Sequence, residues 1–118
     1  MIKSFTFIKK KPGLTQEEFL RYWKEKHGPL AAKVVPGLRR YIQCHPVPGV
    51  ESEIDGIVEL WWDSLESHRR FLTWRQSEEA KVLREDEEKF IDPSQMVRFV
   101  AEEHVIVEGS ITGLLKKN

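Results

Sequence analysis

Hydrophobic and polar residues alternate with a period of two in four stretches of the chain: residues 2–9, 38–46, 54–62 and 97–107. This alternation is typical of β-strands, because successive side chains point to opposite faces of a sheet. The first stretch puts Phe5 and Phe7 on one face, and Ile2, Thr6 and Ile8 on the other. The sequence therefore predicts four strands with apolar residues on both faces of their sheet.

A helical pattern follows the first strand. Thr15 and Glu18 have the spacing of a capping box, with Leu14 and Phe19 at the positions of a hydrophobic staple. An apolar stripe at helical spacing then carries Phe19, Leu20, Trp23, His27, Leu30, Ala31 and Val34. We expect Gly28-Pro29 to kink or break this helix, because proline lacks the backbone N–H that a helix interior uses.

A second helical region lies between the third and fourth strands and divides into two pieces. Ser64 is a candidate N-cap for the first piece and Ser77 for the second. The order βαββαβ predicts an α+β ferredoxin-like plait, in which a four-stranded antiparallel sheet carries its helices on one face. The bare face is apolar, so we expect a homodimer packed through sheet faces and strand edges.

Composition limits the function classes. The chain has 118 residues, 19 Lys plus Arg, 19 Asp plus Glu and 40% hydrophobic residues. Zero net charge argues against a nucleic-acid partner, and the short apolar runs argue against a membrane. The single Cys44 excludes a Cys-based zinc cluster and fits the reducing cytoplasm. Four scattered histidines predict no metal site, and no dinucleotide or phosphate-binding motif is present, so we expect no cofactor.

The charge is unevenly spread along the chain. Residues 1–50 contain ten basic and three acidic residues, whereas residues 51–118 contain nine basic and sixteen acidic ones. A plait interleaves the two halves in one sheet, so this asymmetry should largely cancel on folding. In a two-fold dimer we expect Arg39 and Arg40 of one chain to lie near Glu102 and Glu103 of the other.

His27 is the sharpest candidate for chemistry. It lies one turn after Trp23 on the apolar stripe, beside the expected helix break. An imidazole placed there would be partly desolvated and suited to proton transfer. The alternative is a core histidine whose ring N–H binds a freed backbone carbonyl.

Other polar residues form weaker candidates. Tyr41, Gln43 and His45 share one strand face, which would line a pocket, lie at a wet interface or face solvent. Glu59 has apolar neighbours and, if buried, needs a partner such as His27, Arg39 or Arg40; an interface ion pair is the alternative. The aromatic residues Trp23, Trp61, Phe71 and Phe90 suit either a core or an aromatic pocket.

The combined motifs resemble the EthD family of small dimeric α+β-barrel proteins. The resemblance covers nearly all of residues 1–107 and rests on the segments Leu14-Thr15-Gln16-Glu17-Glu18-Phe19, Tyr22-Trp23, His27-Gly28-Pro29-Leu30, Pro36-Gly37-Leu38 with Tyr41, Asp55-Gly56-Ile57, Glu59-Leu60-Trp61 and Phe90-Ile91-Asp92. Trp62 departs from the pattern, since many members carry Phe there. The tail has no usable match, so we expect a domain at 1–108 and a tail at 109–118.

The resemblance implies a pocket for a small aromatic, lactone or polyketide-like molecule more strongly than it implies a reaction. It carries the histidine of the His-Gly-Pro motif over to His27. The leading hypothesis is a cofactor-free isomerase, cyclase or dehydratase in which His27 transfers a proton and Glu59 orients a cation or the imidazole. Substrate would contact Trp23, Tyr41, His45, Trp61, Phe71 and Phe90. The alternatives are an oxidoreductase or cofactor-free monooxygenase, or an accessory to one, and a non-enzymatic binding or assembly module.

Overall fold

The computed structural model describes residues 1–109 and contains one four-stranded antiparallel sheet. The strands are β1 (Ile2–Ile8), β2 (Arg40–Cys44), β3 (Gly56–Trp62) and β4 (Val97–Glu102), and their order in the sheet is β2-β3-β1-β4. The predicted α+β ferredoxin-like plait is confirmed. This order also alternates strands from the basic and acidic parts of the chain, as expected.

Four α-helices connect the strands: α1 (Gln16–Tyr22), α2 (Gly28–Val34), α3 (Leu65–Arg75) and α4 (Lys81–Glu87). Short 3₁₀ turns lie at Glu78–Ala80 and Pro93–Gln95. The predicted capping box starts α1: the Glu18 N–H donates to Thr15 Oγ1 at 3.1 Å, and the Thr15 N–H donates to Glu18 Oε1 at 2.9 Å. Such an N-cap stabilises a helix by about 1 kcal/mol.

The kink or break expected at Gly28-Pro29 takes the form of a π-helical interruption, and the helix does not end there. A π-helical turn, Trp23–His27, joins α1 directly to α2, and Gly28 donates its N–H to the Trp23 carbonyl. Pro29 has no N–H and interrupts the regular hydrogen-bond ladder. The wider π-helical turn accommodates the missing hydrogen bond, so the chain stays helical from Gln16 to Val34. Single π turns of this kind often occur at functional sites.

Two further expectations differ from the structure. The fourth strand ends at Glu102 and does not extend to residue 107 as predicted. Glu102 pairs with Ile2, the first residue of β1, so residues beyond Glu102 have no β1 residue to pair with. Ser77 lies at the N-terminus of the Glu78–Ala80 turn, but its hydroxyl donates to the Trp74 carbonyl at 2.6 Å and does not cap that turn. Ser64 does cap α3, by accepting from the Ser67 N–H.

The core lies between the sheet and the helices. Its central cluster contains Ile8, Phe19, Trp23, Phe90 and Ile91. Trp23 packs directly on the backbone of β3 at Gly56, where a Cβ atom would overlap two atoms of the indole ring. Only glycine permits so close an approach, and the approach fixes Trp23, where the π-helical turn begins.

The other side of the sheet carries apolar side chains that no helix covers. Register places on this open face the side chains of Lys3, Phe5, Phe7, Ile42, Ile57, Glu59, Trp61, Val97 and Phe99. The Phe5 and Phe99 rings stack with centroids 5.3 Å apart, and Phe99 is 49% exposed. Within residues 1–109, no helix is both long and apolar enough to cross a membrane.

Most of the predicted tail, 110–118, lies outside the described residues.

Candidate functional site

A cavity of about 200 Å³ lies between the sheet and the helices. Its walls are mainly apolar and aromatic, and they include the predicted residues His27, Trp23, Tyr41, Phe71 and Phe90. An apolar cavity of roughly 150 Å³ can hold a benzene molecule. The volume therefore suits a ligand of about one aromatic ring with small substituents.

His27 lies at the end of the π-helical turn and is buried, with 6% of its surface exposed. Its Nδ1 lies 2.8 Å from Oδ2 of Asp86, which is also buried. A carboxylate only accepts hydrogen bonds, so this contact places a hydrogen on Nδ1. In the neutral ring Nε2 then has an available lone pair, and His27 is one of the residues that line the cavity.

Asp86 connects three elements of the fold. Its Oδ1 accepts a hydrogen bond from the Tyr22 hydroxyl at 2.5 Å, and Lys89 Nζ lies 3.7 Å from the same oxygen. Burial, together with Asp86, raises the pKa of Tyr22 to about 12. Tyr22 therefore remains a hydrogen-bond donor throughout the ordinary pH range, and the carboxylate is held from α1 while it orients His27.

Gln43 ties β2 to the π-helical turn. Its Nε2 donates to the Trp23 carbonyl and to the Tyr41 hydroxyl oxygen, both at 2.9 Å, and its Oε1 accepts from His45 Nε2 at 2.8 Å. A Cβ atom on Gly28 would lie 2.9 Å from Gln43 Nε2. Glycine at position 28 therefore leaves room for the Gln43 amide, which forms a hydrogen bond with a backbone carbonyl of the π-helical turn.

Tyr41 lines the cavity, and its hydroxyl oxygen accepts the hydrogen bond from Gln43. Burial raises the pKa of Tyr41, partly opposed by its hydrogen bond from Gln43. Because Gln43 donates to the oxygen, the hydroxyl hydrogen of Tyr41 is free to be directed at a ligand.

His45 does not line the cavity. It stacks on the indole of Trp23, with ring centroids 4.5 Å apart. Burial lowers the pKa of His45, and the nearby charge of Lys24 lowers it further.

The sheet separates the remaining two predicted site residues from the cavity. Glu59 and Trp61 lie on the open face, where Glu59 is 3.6 Å from Lys3 Nζ and accepts a hydrogen bond from Trp61 Nε1 at 3.1 Å. The expected contacts of Glu59 with His27, Arg39 or Arg40 are not formed in residues 1–109. The alternation of β3 already separates Glu59 from Val58 and Leu60, which do line the cavity.

Sequence reasoning missed Asp86, the buried acidic residue of α4, and gave no site role to its neighbour Glu87. Leu83, Asp86, Glu87 and Phe90 follow helical spacing, and all four face inward: Asp86 to His27, the others to the cavity. Glu87 forms a bidentate pair with Arg75, with Nη1–Oε2 and Nη2–Oε1 distances of 3.0 and 2.6 Å. Carboxylates at apolar positions of an amphipathic helix were the available signal, because such groups need buried partners.

The metal expectation can be examined only for the described part of the chain. There, no group of three or more His, Cys, Asp or Glu side chains is arranged to hold a metal ion. A reaction without a bound cofactor stays a prediction.

Solved structures with similar folds come from several bacteria. An EthD family protein from Bacillus halodurans is 24% identical, with a TM-score of 0.65, over 88% of this chain and 100% of that chain. A dimeric protein with a ferredoxin-like fold from Bacteroides fragilis is 12% identical, with a TM-score of 0.61, over 86% and 95% of the two chains. An antibiotic biosynthesis monooxygenase-like protein from Nitrosomonas europaea is 9% identical, with a TM-score of 0.56, over 87% and 98%.

No curated protein sequence matches the chain at a significant level. The family model of the EthD domain matches residues 11–94, a segment that contains the capping box, His27, β2, β3 and Asp86. The chain therefore belongs to the EthD domain family.

Proposed function

We propose that the protein is an enzyme that moves a proton next to the carbonyl group of a small aromatic or lactone-like molecule, without a bound cofactor. The observation that carries this proposal is the buried His27–Asp86 contact on a cavity-lining residue, because it engages Nδ1 and leaves the lone pair of Nε2 available. A purely structural histidine has no need of an adjoining cavity. The isomerase, cyclase and dehydratase reactions of the leading hypothesis all use such a proton transfer.

The proposed step begins when Nε2 of neutral His27 removes a proton from the carbon beside the carbonyl. The C–H bond breaks, an N–H bond forms, and the electron pair moves into the carbonyl oxygen to give an enolate. Asp86 stabilises the resulting imidazolium, as the carboxylate does in a catalytic triad. Return of the proton to a different carbon completes an isomerisation with no net change in atoms or electrons.

Tyr41 is the proposed hydrogen-bond donor to the enolate oxygen. Its oxygen already accepts from Gln43, so its own hydrogen remains for the substrate. A preoriented donor in an apolar cavity stabilises developing charge more strongly than water does. Trp23, Phe71 and Phe90 would enclose the ring of the substrate.

The experiment uses 2-indanone, an aromatic ketone with hydrogens on both carbons beside its carbonyl. Exchange of these hydrogens in D₂O is followed by proton NMR with the wild type, His27→Gln and the matched control His104→Gln, an exposed histidine. We expect the wild type and the control to accelerate exchange over buffer, and His27→Gln to lose the acceleration while keeping its melting temperature. Equal rates for His27→Gln and the wild type would refute the assignment.

The same experiment separates the alternative functions. Oxygen-dependent consumption of an aromatic ligand would instead indicate a cofactor-free monooxygenase or another oxidoreductase. Binding without exchange or consumption would indicate a non-enzymatic binding module.

We also propose a homodimer in which the open sheet faces of two chains meet. Exposed aromatic and aliphatic side chains on that face support it, since large apolar patches usually mark interfaces. The Bacteroides fragilis protein of similar fold is dimeric, which supports a dimer. Arg39 pairs with Asp63, and Lys3 with Glu103, within one chain. The expected pairing of Arg39 and Arg40 with Glu102 and Glu103 across chains stays a prediction.

A domain spanning 1–108 and a cytoplasmic location complete the proposal. The matched segment and the four strands all lie within that domain. The cytoplasmic assignment is supported by Cys44, which carries an exposed free thiol.

A further inference from the structure

Arg98 brings a positive charge to the cavity from the edge strand β4. It pairs in register with Thr6 of β1, and Thr6 pairs with Val58 of β3, so all three side chains lie on the helix-covered side of the sheet. Arg98 lines both the cavity and an adjoining groove that opens to solvent beside Arg84 and Glu88. Its guanidinium therefore lies where the cavity meets the exterior.

The charges around Arg98 do not balance. The nearby Arg75 guanidinium is neutralised by its bidentate pair with Glu87. Arg84 uses its Nη1 to donate to the backbone carbonyls of Arg75 and Ser77, at 2.6 and 2.7 Å. Among residues 1–109, no carboxylate forms an ion pair with Arg98. Arg98 thus brings to the cavity mouth a positive charge that no carboxylate of these residues pairs with.

The surroundings of Arg98 also penalise an unpaired charge. Arg98 is partly exposed, yet burial lowers the pKa of its guanidinium. The charge of Arg75 lowers this pKa further, whereas the charge of Glu87 raises it. His68, which also lines the cavity, has its pKa lowered by burial and by Arg98. An anion beside Arg98 would relieve this repulsion and supply a charge-assisted hydrogen bond.

We propose that Arg98 binds the carboxylate of an aromatic carboxylic acid whose ring occupies the cavity, and that it thereby sets the substrate class. The inference rests on the proposed function, because it assigns the second end of the same substrate. The arginines and glutamates that line the groove, three against two, leave one net positive charge, which a monocarboxylate would balance. A phosphate dianion would bring a second negative charge close to Glu87, which favours the carboxylate.

The sheet fixes the distance between the two ends of this site. Gln43, Val58, Thr6 and Arg98 lie side by side on four neighbouring strands. Three strand spacings separate the backbones of Gln43 and Arg98 by about 14 Å. Gln43 holds the π-helical turn that carries His27, so the cavity lies between the proposed base and the proposed anion site.

The test compares three probes of similar size: benzoate, the neutral benzamide, and phenyl phosphate. Dissociation constants are measured by NMR titration of the wild type, Arg98→Gln, Arg98→Lys and the control Arg69→Gln, which removes an exposed charge of α3. We expect the wild type and the control to bind benzoate about tenfold or more tightly than benzamide. This preference should vanish in Arg98→Gln and persist in part in Arg98→Lys.

Added salt provides a second measurement that needs no variant. Benzoate affinity of the wild type should fall as ionic strength rises, whereas benzamide affinity should not. Equal affinities for benzoate and benzamide, an unchanged preference in Arg98→Gln, or tighter binding of phenyl phosphate would each overturn the inference. If benzamide binds as tightly as benzoate, only the role of Arg98 is refuted, and the ligand cavity and the proposed function remain supported. If neither probe binds, the ligand cavity and the proposed function are both contradicted. His27→Gln should keep the benzoate preference, which separates the anion site from the proton transfer.

Discussion

The Nδ1 atom of His27 lies 2.8 Å from a carboxylate oxygen of Asp86, although 59 positions separate the two residues in the chain. The π-helical turn supplies the histidine, and α4 supplies the carboxylate. Tyr22 holds the second oxygen of Asp86. The orientation of the imidazole therefore depends on tertiary packing between two helical regions.

Replacing Asp86 by Asn should slow the 2-indanone exchange by about 10- to 100-fold, the usual cost of removing a group that orients a functional histidine. The amide keeps the shape of the side chain but no longer stabilises an imidazolium. The control is Glu88→Gln, which changes an exposed carboxylate directly after the end of α4. It should retain the wild-type rate. An unchanged rate in Asp86→Asn would remove Asp86 from the mechanism.

Gly56→Ala should destabilise the protein by about 1–3 kcal/mol, the usual cost of overpacking a core. The added methyl group would overlap the Trp23 indole, which packs against the backbone of β3. Urea unfolding measures the loss. Combining Gly56→Ala with Trp23→Phe should cost less than the sum of the two single changes, because the smaller ring vacates the contested space. Simple additivity would show that the two residues do not compete for that space.

Stability should decrease as the pH falls below about 6.5, the ordinary histidine pKa. Burial and Arg98 lower the pKa of His68 in the folded state, so the unfolded chain binds a proton in a pH range where the folded chain does not. Its contribution is present above the unfolded pKa and is lost as the pH falls towards the lower, folded pKa.

Urea unfolding at pH 7.5 and 5.5 tests this dependence. His68→Gln should reduce the difference between the two pH values without removing it, because burial also lowers the pKa of His45. His104→Gln is the exposed control. A wild type equally stable at both pH values would contradict the prediction.

Phe99→Glu should convert the proposed dimer to a monomer, because it places a charge on the apolar open face next to Phe5. Sedimentation equilibrium measures the mass. Val82→Glu changes a residue of similar exposure on α4 and should leave the dimer intact. Weaker association at high salt and in Arg40→Glu would support charge pairing between edge strands. A wild type that is monomeric at all concentrations would refute the dimer.

The strands and the start of α1 could be predicted because they depend on local patterns: alternation in β1 and β3, and the reciprocal hydrogen bonds of Thr15 and Glu18. His27, the candidate that the family's His-Gly-Pro motif indicated, lines the cavity, and its catalytic role stays a prediction. The π-helical turn was not predictable from Pro29 alone, since its stability depends on Gln43 from a distant strand.

Asp86 and Arg98 were missed for a related physical reason. A charged residue on a helix or edge strand usually faces solvent, and only the packed fold shows that Asp86 is buried or that Arg98 borders the cavity. Conversely, Glu59 was judged by its apolar neighbours in sequence, but those neighbours belong to two different faces of β3. The pairing of Glu59 with Lys3 on the open face fits an interface role better than a site role.

The most direct test of the account is ¹⁵N NMR of the histidine side chains at a pH where they are neutral. The account predicts that His27 carries its hydrogen on Nδ1, that Nε2 is unprotonated, and that 2-indanone shifts the Nε2 resonance. In Asp86→Asn the preference for the Nδ1–H tautomer should weaken. A His27 ring protonated on Nε2 in the wild type, or an Nε2 resonance unaffected by the ligand, would contradict the assignment of His27 as the base.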